Sequence, residues 1–228
     1  MKLIIKDVYK NFGKKEVLKG STFTFEKGKI YGLIGKNGSG KTTLFNCISE
    51  EIDDFTGDIL LDDKKVKTED VGYVISTPTV PEFLTGREFL KFFLEINKDK
   101  MKDIKKIDEY FDFLSIAYED RDKLMKEYSH GMKNKMQMLV NIISNPSILL
   151  LDEPLTSFDV LAADEMKKFL RDLKNDHITI FSTHILELAL DLCDEIVILN
   201  NGVLKEINHQ DLEAKEFKEK IIESLKEV

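Results

Sequence analysis

The sequence predicts an α/β protein with a mostly parallel sheet, an N-terminal antiparallel β subdomain and an inserted helical subdomain. Three observations carry this. The first third is built of strand-length runs separated by glycines and charged turns. Residues 79–145 switch to helical periodicity. After Pro146, continuous apolar strands alternate with helical stretches, the pattern of a parallel sheet covered on both faces.

Taken in order, "LIIKDVYKNFG", "EVLKGSTFTFEKG" and "KIYGLIG" read as strands, "LFNCIS" as a helix, and "GDILLDDKKV" and "VGYVIS" as strands again. In the helical block Phe89, Phe92, Phe93 and Ile96 share one predicted face, and Ile107, Tyr110, Phe111 and Leu114 another, which is core spacing. A further helix opens in "YSHGMKNKMQML", where Ser129 sits at the cap and Met132, Met136, Leu139 and Val140 recur at helical spacing. The last part runs "SILLLDEP", "VLAADEMKKFLRDL", "ITIFSTH", "ILELALDLC" and "EIVILNNG". Beyond it a charged tail with a thin stripe of Leu212, Ile221, Ile222 and Leu225 suggests a terminal helix. The expected organisation is one domain over 1–228: a core of 1–78 and 146–208, a helical subdomain at 79–145 and a C-terminal helix at 209–228.

Composition narrows the class. With 228 residues, 42% hydrophobic and 33% charged, the chain can bury a full core. No apolar run approaches the roughly 18 to 20 residues of a membrane span, and "MKLIIKDVYK" interleaves charge with apolar residues unlike a signal peptide, so a cytoplasmic location is expected. A net charge of −8 with no dense basic stripe argues against nucleic acid. Cys47 and Cys193 form no CxxC pair, and both read as structural.

The chemistry starts at "GKNGSGKTT", residues 35–43, which fits G-x-x-x-x-G-K-[ST] between a strand and a helix and so predicts a P-loop NTPase core. Phosphate is densely anionic. Backbone N–H groups of Gly38, Ser39, Gly40 and Lys41 can converge on it only where glycines remove side-chain bulk, as at Gly35, Gly38 and Gly40, with Lys36 and Asn37 between. Lys41 adds a point charge for the β- and γ-phosphates, and the Thr42 hydroxyl, followed by Thr43, is suited to a bridging Mg²⁺. Asp152 and Glu153 follow an apolar strand. The first is suited to holding the metal through its water shell, the second to orienting or deprotonating the attacking water. His184 ends another strand, where its ring could donate to the γ-phosphate. Ser129, His130 and Gly131 open a helix whose first amides suit an anion. A guanine pocket is disfavoured: "DFTG" fits DxxG, but "NKDK" has Lys100 where NKxD needs aspartate.

The full set resembles the ATP-binding subunit of an ABC transporter over nearly the whole chain, residues 2–207. In family order stand the Walker A loop at 35–43, "YSHGM" in place of LSGGQ or LSGGM, Walker B in "ILLLDEP", a D-loop "TSFD" ending at Asp159, and the switch histidine His184. Phe12, in "KNFG", matches the aromatic that stacks on adenine; read from its strand alone it is equally a hairpin core residue. The resemblance implies ATP and Mg²⁺ as ligands, ATP hydrolysis as the activity, and a second ATPase subunit, identical or not, packed head to tail. Ser129, His130 and Gly131 would then contact the partner's ATP. It also implies separate transmembrane subunits docked on the helical block, which would hold the chain at the inner face of the cell membrane.

Two positions depart from the family pattern. His130 replaces a glycine, and its imidazole could strengthen phosphate binding or slow closure by its bulk. Ser76 stands where the family places a glutamine that touches Mg²⁺, and non-glutamine residues there resemble drug and bacteriocin-immunity exporters. Two other readings remain: a soluble ABC-type ATPase in a non-transport assembly role, and an inactive nucleotide-binding partner, against which the intact Glu153 argues.

Overall fold

A computed structural model describes residues 1–98, 101, 105–155, 160–207, 219 and 221–224. Two sheets organise it. The first is antiparallel, in the order β2-β1-β4-β5, from β1 (Lys2–Phe12), β2 (Lys15–Glu26), β4 (Thr56–Leu61) and β5 (Lys64–Lys65). The second has six strands, in the order β10-β9-β3-β8-β7-β6, from β3 (Ile30–Ile34), β6 (Val71–Val74), β7 (Ile148–Asp152), β8 (Ile178–Thr183), β9 (Glu195–Asn200) and β10 (Val203–Ile207). All its pairings are parallel except the β9–β10 hairpin. Every residue of β3, β7 and β8 is buried, which is why their sequences are continuous instead of alternating.

One core fills the space between the sheets, where Leu3, Ile5, Leu18 and Phe25 meet Tyr31, Leu33, Leu150, Ile180 and Val197, with Phe45 and Ile48 of α1 (Lys41–Ile48). Phe25 packs edge-on to Tyr31, ring centroids 5.0 Å apart. The sheets are also tied by polar bonds, since the Lys19 amide and the Ser21 hydroxyl both donate to the Gly202 carbonyl, at 2.8 and 2.9 Å. Gly202 needs its missing side chain: φ is 76° and a Cβ would lie 2.5 Å from the Val17 carbonyl oxygen. On the opposite face of the parallel sheet, Leu149, Leu151 and Phe181 pack against Met138, Met166 and Leu170.

A separate cluster holds α2 (Gly86–Asn97), α3 (Ile107–Phe113) and α4 (His130–Ile143) together through Leu90, Leu94, Phe111, Leu114, Met125, Met136 and Leu139. Thr85 caps α2 in a reciprocal box with Glu88, and Ser129 caps α4 through the Met132 amide at 3.2 Å. Phe113 and Phe169, the latter on α5 (Val160–Leu173), meet edge to face at 4.4 Å between this cluster and the sheet.

Three expectations are corrected. The α2 face expected from Phe89, Phe92, Phe93 and Ile96 is not the buried one: Leu90 and Leu94 are buried, Phe89 and Phe93 flank them, and Phe92 and Ile96 are exposed. The apolar residues fill one broad arc, wider than the buried strip, so the pattern alone does not choose which edge of that arc turns inward. The single strand expected in "GDILLDDKKV" is a hairpin, β4–β5, turning at Asp62 and Asp63 with φ of 46° and 66°. The helix expected in "ILELALDLC" is shorter than that run: α6 spans Leu186–Leu192 and Cys193 is its cap. The terminal helix expected at 209–228 lies mostly outside the described residues; 221–224 are helical, and Ile221 is buried beside Ile34, Ile196 and Ile198.

Candidate functional site

The carboxyl ends of β3, β8 and β7, adjacent and parallel, open on one crevice, the place where sheets of this topology bind ligands. β3 delivers the chain into the loop at 35–40 and α1 carries it away. Gly38 and Gly40 have φ of 80° and 106°, and a Cβ on Gly40 would press on Val17 Cγ1 at 3.0 Å. Within the loop the Ser39 amide donates to the Lys36 carbonyl at 3.1 Å. The Lys41 ammonium donates to the carbonyls of Gly35 and Lys36 at 2.8 and 3.5 Å. Burial holds that ammonium below the ordinary lysine value, opposed by the charges of Glu153 and Asp152.

The acidic side of the crevice is equally ordered. Asp152, only 4% exposed, accepts from Thr42 Oγ1 at 2.9 Å and from Ser182 Oγ at 2.5 Å. The Glu153 amide donates to the carbonyl oxygen and the hydroxyl of Ser182, at 3.2 and 3.1 Å. These bonds hold Glu153 at φ 52°, a left-handed conformation unusual for a residue with a side chain. His184 Nδ1 donates to both carboxylate oxygens of Glu153, at 2.7 and 2.8 Å.

The loop and the two acids border a cleft of about 600 Å³ lined by Phe12, Lys15 and Val17 on the β1–β2 hairpin, by Asn37, Gly38, Gly40, Lys41, Thr42 and Thr43, and by Ser76, Asp152 and Glu153; His184 stands outside this lining and reaches it through its bonds to Glu153. Of the expected nucleotide residues, Gly35, Lys36 and Ser39 complete the loop behind the lining. Ser129, His130 and Gly131 do not belong to the lining; they lie at the start of α4, their amides in the first helical turn, where Ser129 serves Met132. The α4 helix reaches the acidic turn through a bond from Asn134 Nδ2 to the Pro154 carbonyl at 2.9 Å. Asp159 lies outside the described residues.

The donor set fits a nucleoside triphosphate with its metal. Ser39 Oγ is buried with no partner among the described residues, Lys41 is a buried cation resting on carbonyls, and the Thr42 hydroxyl already meets the Asp152 carboxylate. Sequence reasoning missed Ser182, Lys15, Val17 and Asn134. The first stands two residues before His184 and could have been sought there; the others are brought in by tertiary packing.

The ABC transporter family model matches residues 18–156. The chain belongs to the ABC transporter family. As an ABC ATP-binding domain it is an ATPase. Among ABC relatives, it is 34% identical to an uncharacterized ABC transporter ATP-binding protein of Methanocaldococcus jannaschii, over 88% of this chain and 75% of that one. It is 32% identical to an uncharacterized ABC transporter ATP-binding protein of Bacillus subtilis, over 88% and 68%. Solved structures share the ABC fold: an ATP-binding subunit of an ABC transporter superposes with a TM-score of 0.81 at 22% identity, covering 97% of this chain and 100% of that one. A dimeric ATP-binding cassette in a post-hydrolysis state, bound to ADP and Pi, superposes at 0.76 and 19% identity, over 91% and 99%.

Proposed function

We propose that this ABC ATPase works as a head-to-tail dimer that closes on ATP and powers separate transmembrane subunits of an exporter. One observation carries the reading. The cleft of one chain holds the phosphate loop and both acids, whereas Ser129, His130 and Gly131 are absent from its lining. A second copy, offering its α4 terminus, would complete the anion site. Each protomer then contributes half of each centre, and hydrolysis follows closure.

In this reading Lys41 exchanges the carbonyls of Gly35 and Lys36 for β- and γ-phosphate oxygens, while the loop amides and Ser39 Oγ contact the same group. Thr42 and Asp152 would hold Mg²⁺, and Ser76 is too short to add a firm contact. Bound Mg²⁺ supplies positive charge to the β- and γ-phosphate oxygens. Glu153 orients the attacking water and takes its proton. His184, fixed through Nδ1, presents its other ring nitrogen to the γ-phosphate. Phe12 stacks on adenine, Asp159 serves as the D-loop acid, and His130 adds an imidazole beside the partner's phosphate.

The boundaries proposed are those expected from the sequence, with 79–145 as the subdomain that docks on the membrane partner. No helix among the described residues is long and apolar enough to cross a membrane, which supports a separate spanning subunit and a peripheral place at the inner face of the membrane. Ser76 in place of the family's glutamine favours export.

Glu153→Gln should stop proton removal without disturbing nucleotide binding. Light scattering with ATP and Mg²⁺ should then report a stable dimer, while the wild-type protein turns over and returns to monomer. A monomer alone at high concentration of the variant would reject the shared site.

A further inference from the structure

We propose that Lys10 is a positioning residue for the nucleotide base: its ammonium, anchored by Asp54, backs the Phe12 ring and fixes it as a stacking surface. This rests on the reading of Phe12 as the adenine-facing ring.

Lys10 is a rare kind of residue here, a lysine whose side chain is 2% exposed. Buried ammonium groups need compensation, and this one has it from two sources. Nζ donates to the Asp54 carboxylate and to the Asp54 carbonyl oxygen, the latter at 3.0 Å. It also lies over the Phe12 ring, 4.7 Å from the centroid. Asp54 itself is solvent-exposed, and the ion pair pulls its carboxyl below the ordinary aspartate value.

The geometry links three segments. Lys10 and Phe12 are two residues apart on β1, so their side chains share a face of the strand. Asp54 sits in the connection between α1 and β4, just beyond the helix that carries the phosphate loop. Phe12 lines the cleft and is 50% exposed, whereas Lys10 does not line it. The ammonium therefore supports the ring from the protein side and leaves the cleft side open to a flat ligand. An exposed phenylalanine at a strand end would otherwise have several rotamers to choose from. A cation on one face also draws electron density from the ring, which favours offset stacking on an electron-rich purine. The same contact ties the ring's position to the loop after α1, so base and phosphate subsites are held in one frame.

A double-mutant cycle tests this by calorimetry, with ADP and inorganic tripolyphosphate as probes on the full chain. Lys10→Met is expected to raise the ADP Kd about fivefold, part of what a cation–π contact is worth, since the effect reaches the base through the ring. Tripolyphosphate, which has no base, should bind as in wild type, and this also reports an intact phosphate loop. Lys10→Arg should restore ADP affinity. In a Phe12→Ala background, Lys10→Met should add nothing further. The proposal is overturned if Lys10→Met weakens both probes alike, leaves ADP binding unchanged while Phe12→Ala weakens it, or costs the same with and without the ring. If Phe12→Ala itself leaves ADP affinity unchanged, the stacking reading of Phe12 falls, and the role of Lys10 with it.

Discussion

Ser182 is the residue on which the acidic half of the site turns. Its hydroxyl donates to Asp152 Oδ1 while accepting from the Glu153 amide, so one side chain sets the angle between the two acids. Removing it leaves Asp152 buried with one partner fewer and Glu153 less firmly held in its left-handed turn. With Asp152 holding Mg²⁺ as proposed, Ser182→Ala should lower ATP turnover by about tenfold or more, with ATP KM changed little and the Mg²⁺ requirement raised. Ser182→Thr keeps the hydroxyl and should recover most of the rate; steady-state kinetics across a magnesium series distinguishes these outcomes. The phosphate loop and the Asp152–Glu153 pair were legible in the sequence because each is a contiguous pattern with a chemical reason. Ser182 was not, because a serine in an apolar strand acquires meaning only when β8 lies beside β7 in the observed register.

At the scale of elements, the helical block is held by charge as well as by its apolar cluster. Arg87 on α2 bonds Asp108 on α3 at 2.8 Å, and Arg121 reaches the same carboxylate at 3.0 Å. Arg87 first, then Arg121, hold the Asp108 carboxyl below its ordinary value. The sign follows directly: a carboxyl depressed in the folded state stabilises fully above the unfolded value, near pH 4, and that contribution is lost as pH falls through the lower native one. Asp108→Asn should melt below wild type at neutral pH, and the gap should close under strong acid; a gap independent of pH would show that the loss is steric. Such long-range pairs were not readable from spacing. Neither was the inward face of α2, where apolar weight at Phe92 and Ile96 pointed to the wrong side because Leu90 and Leu94 fit the space left by α3 and α4. What periodicity did reveal were the fully buried strands, whose uninterrupted apolar runs admit few other placements.

For the whole molecule the decisive question is whether a site draws on two copies. Lys41→Ala and Gly131→Asp should each silence ATP hydrolysis alone. Mixed in equal amounts, half of the dimers would carry one intact centre, so roughly a quarter of the wild-type rate should return. A mixture as inactive as its components would place both groups in a single chain's site. The class and order of the layers were legible from the alternation of strands and helices, but the docking of the antiparallel sheet was not, since it is stitched by Ser21 and Gly202, residues far apart in the chain.

One local feature bears on how this protein would change over generations. Glu153 occupies a backbone conformation in which asparagine or glycine rests more easily, by roughly 1 kcal/mol. Thermal robustness and turnover thus pull in opposite directions at that codon. Replacement by glycine or asparagine, though not by other residues, would relieve that strain, so heat tolerance gained there would come with the loss of the carboxylate that His184 bonds.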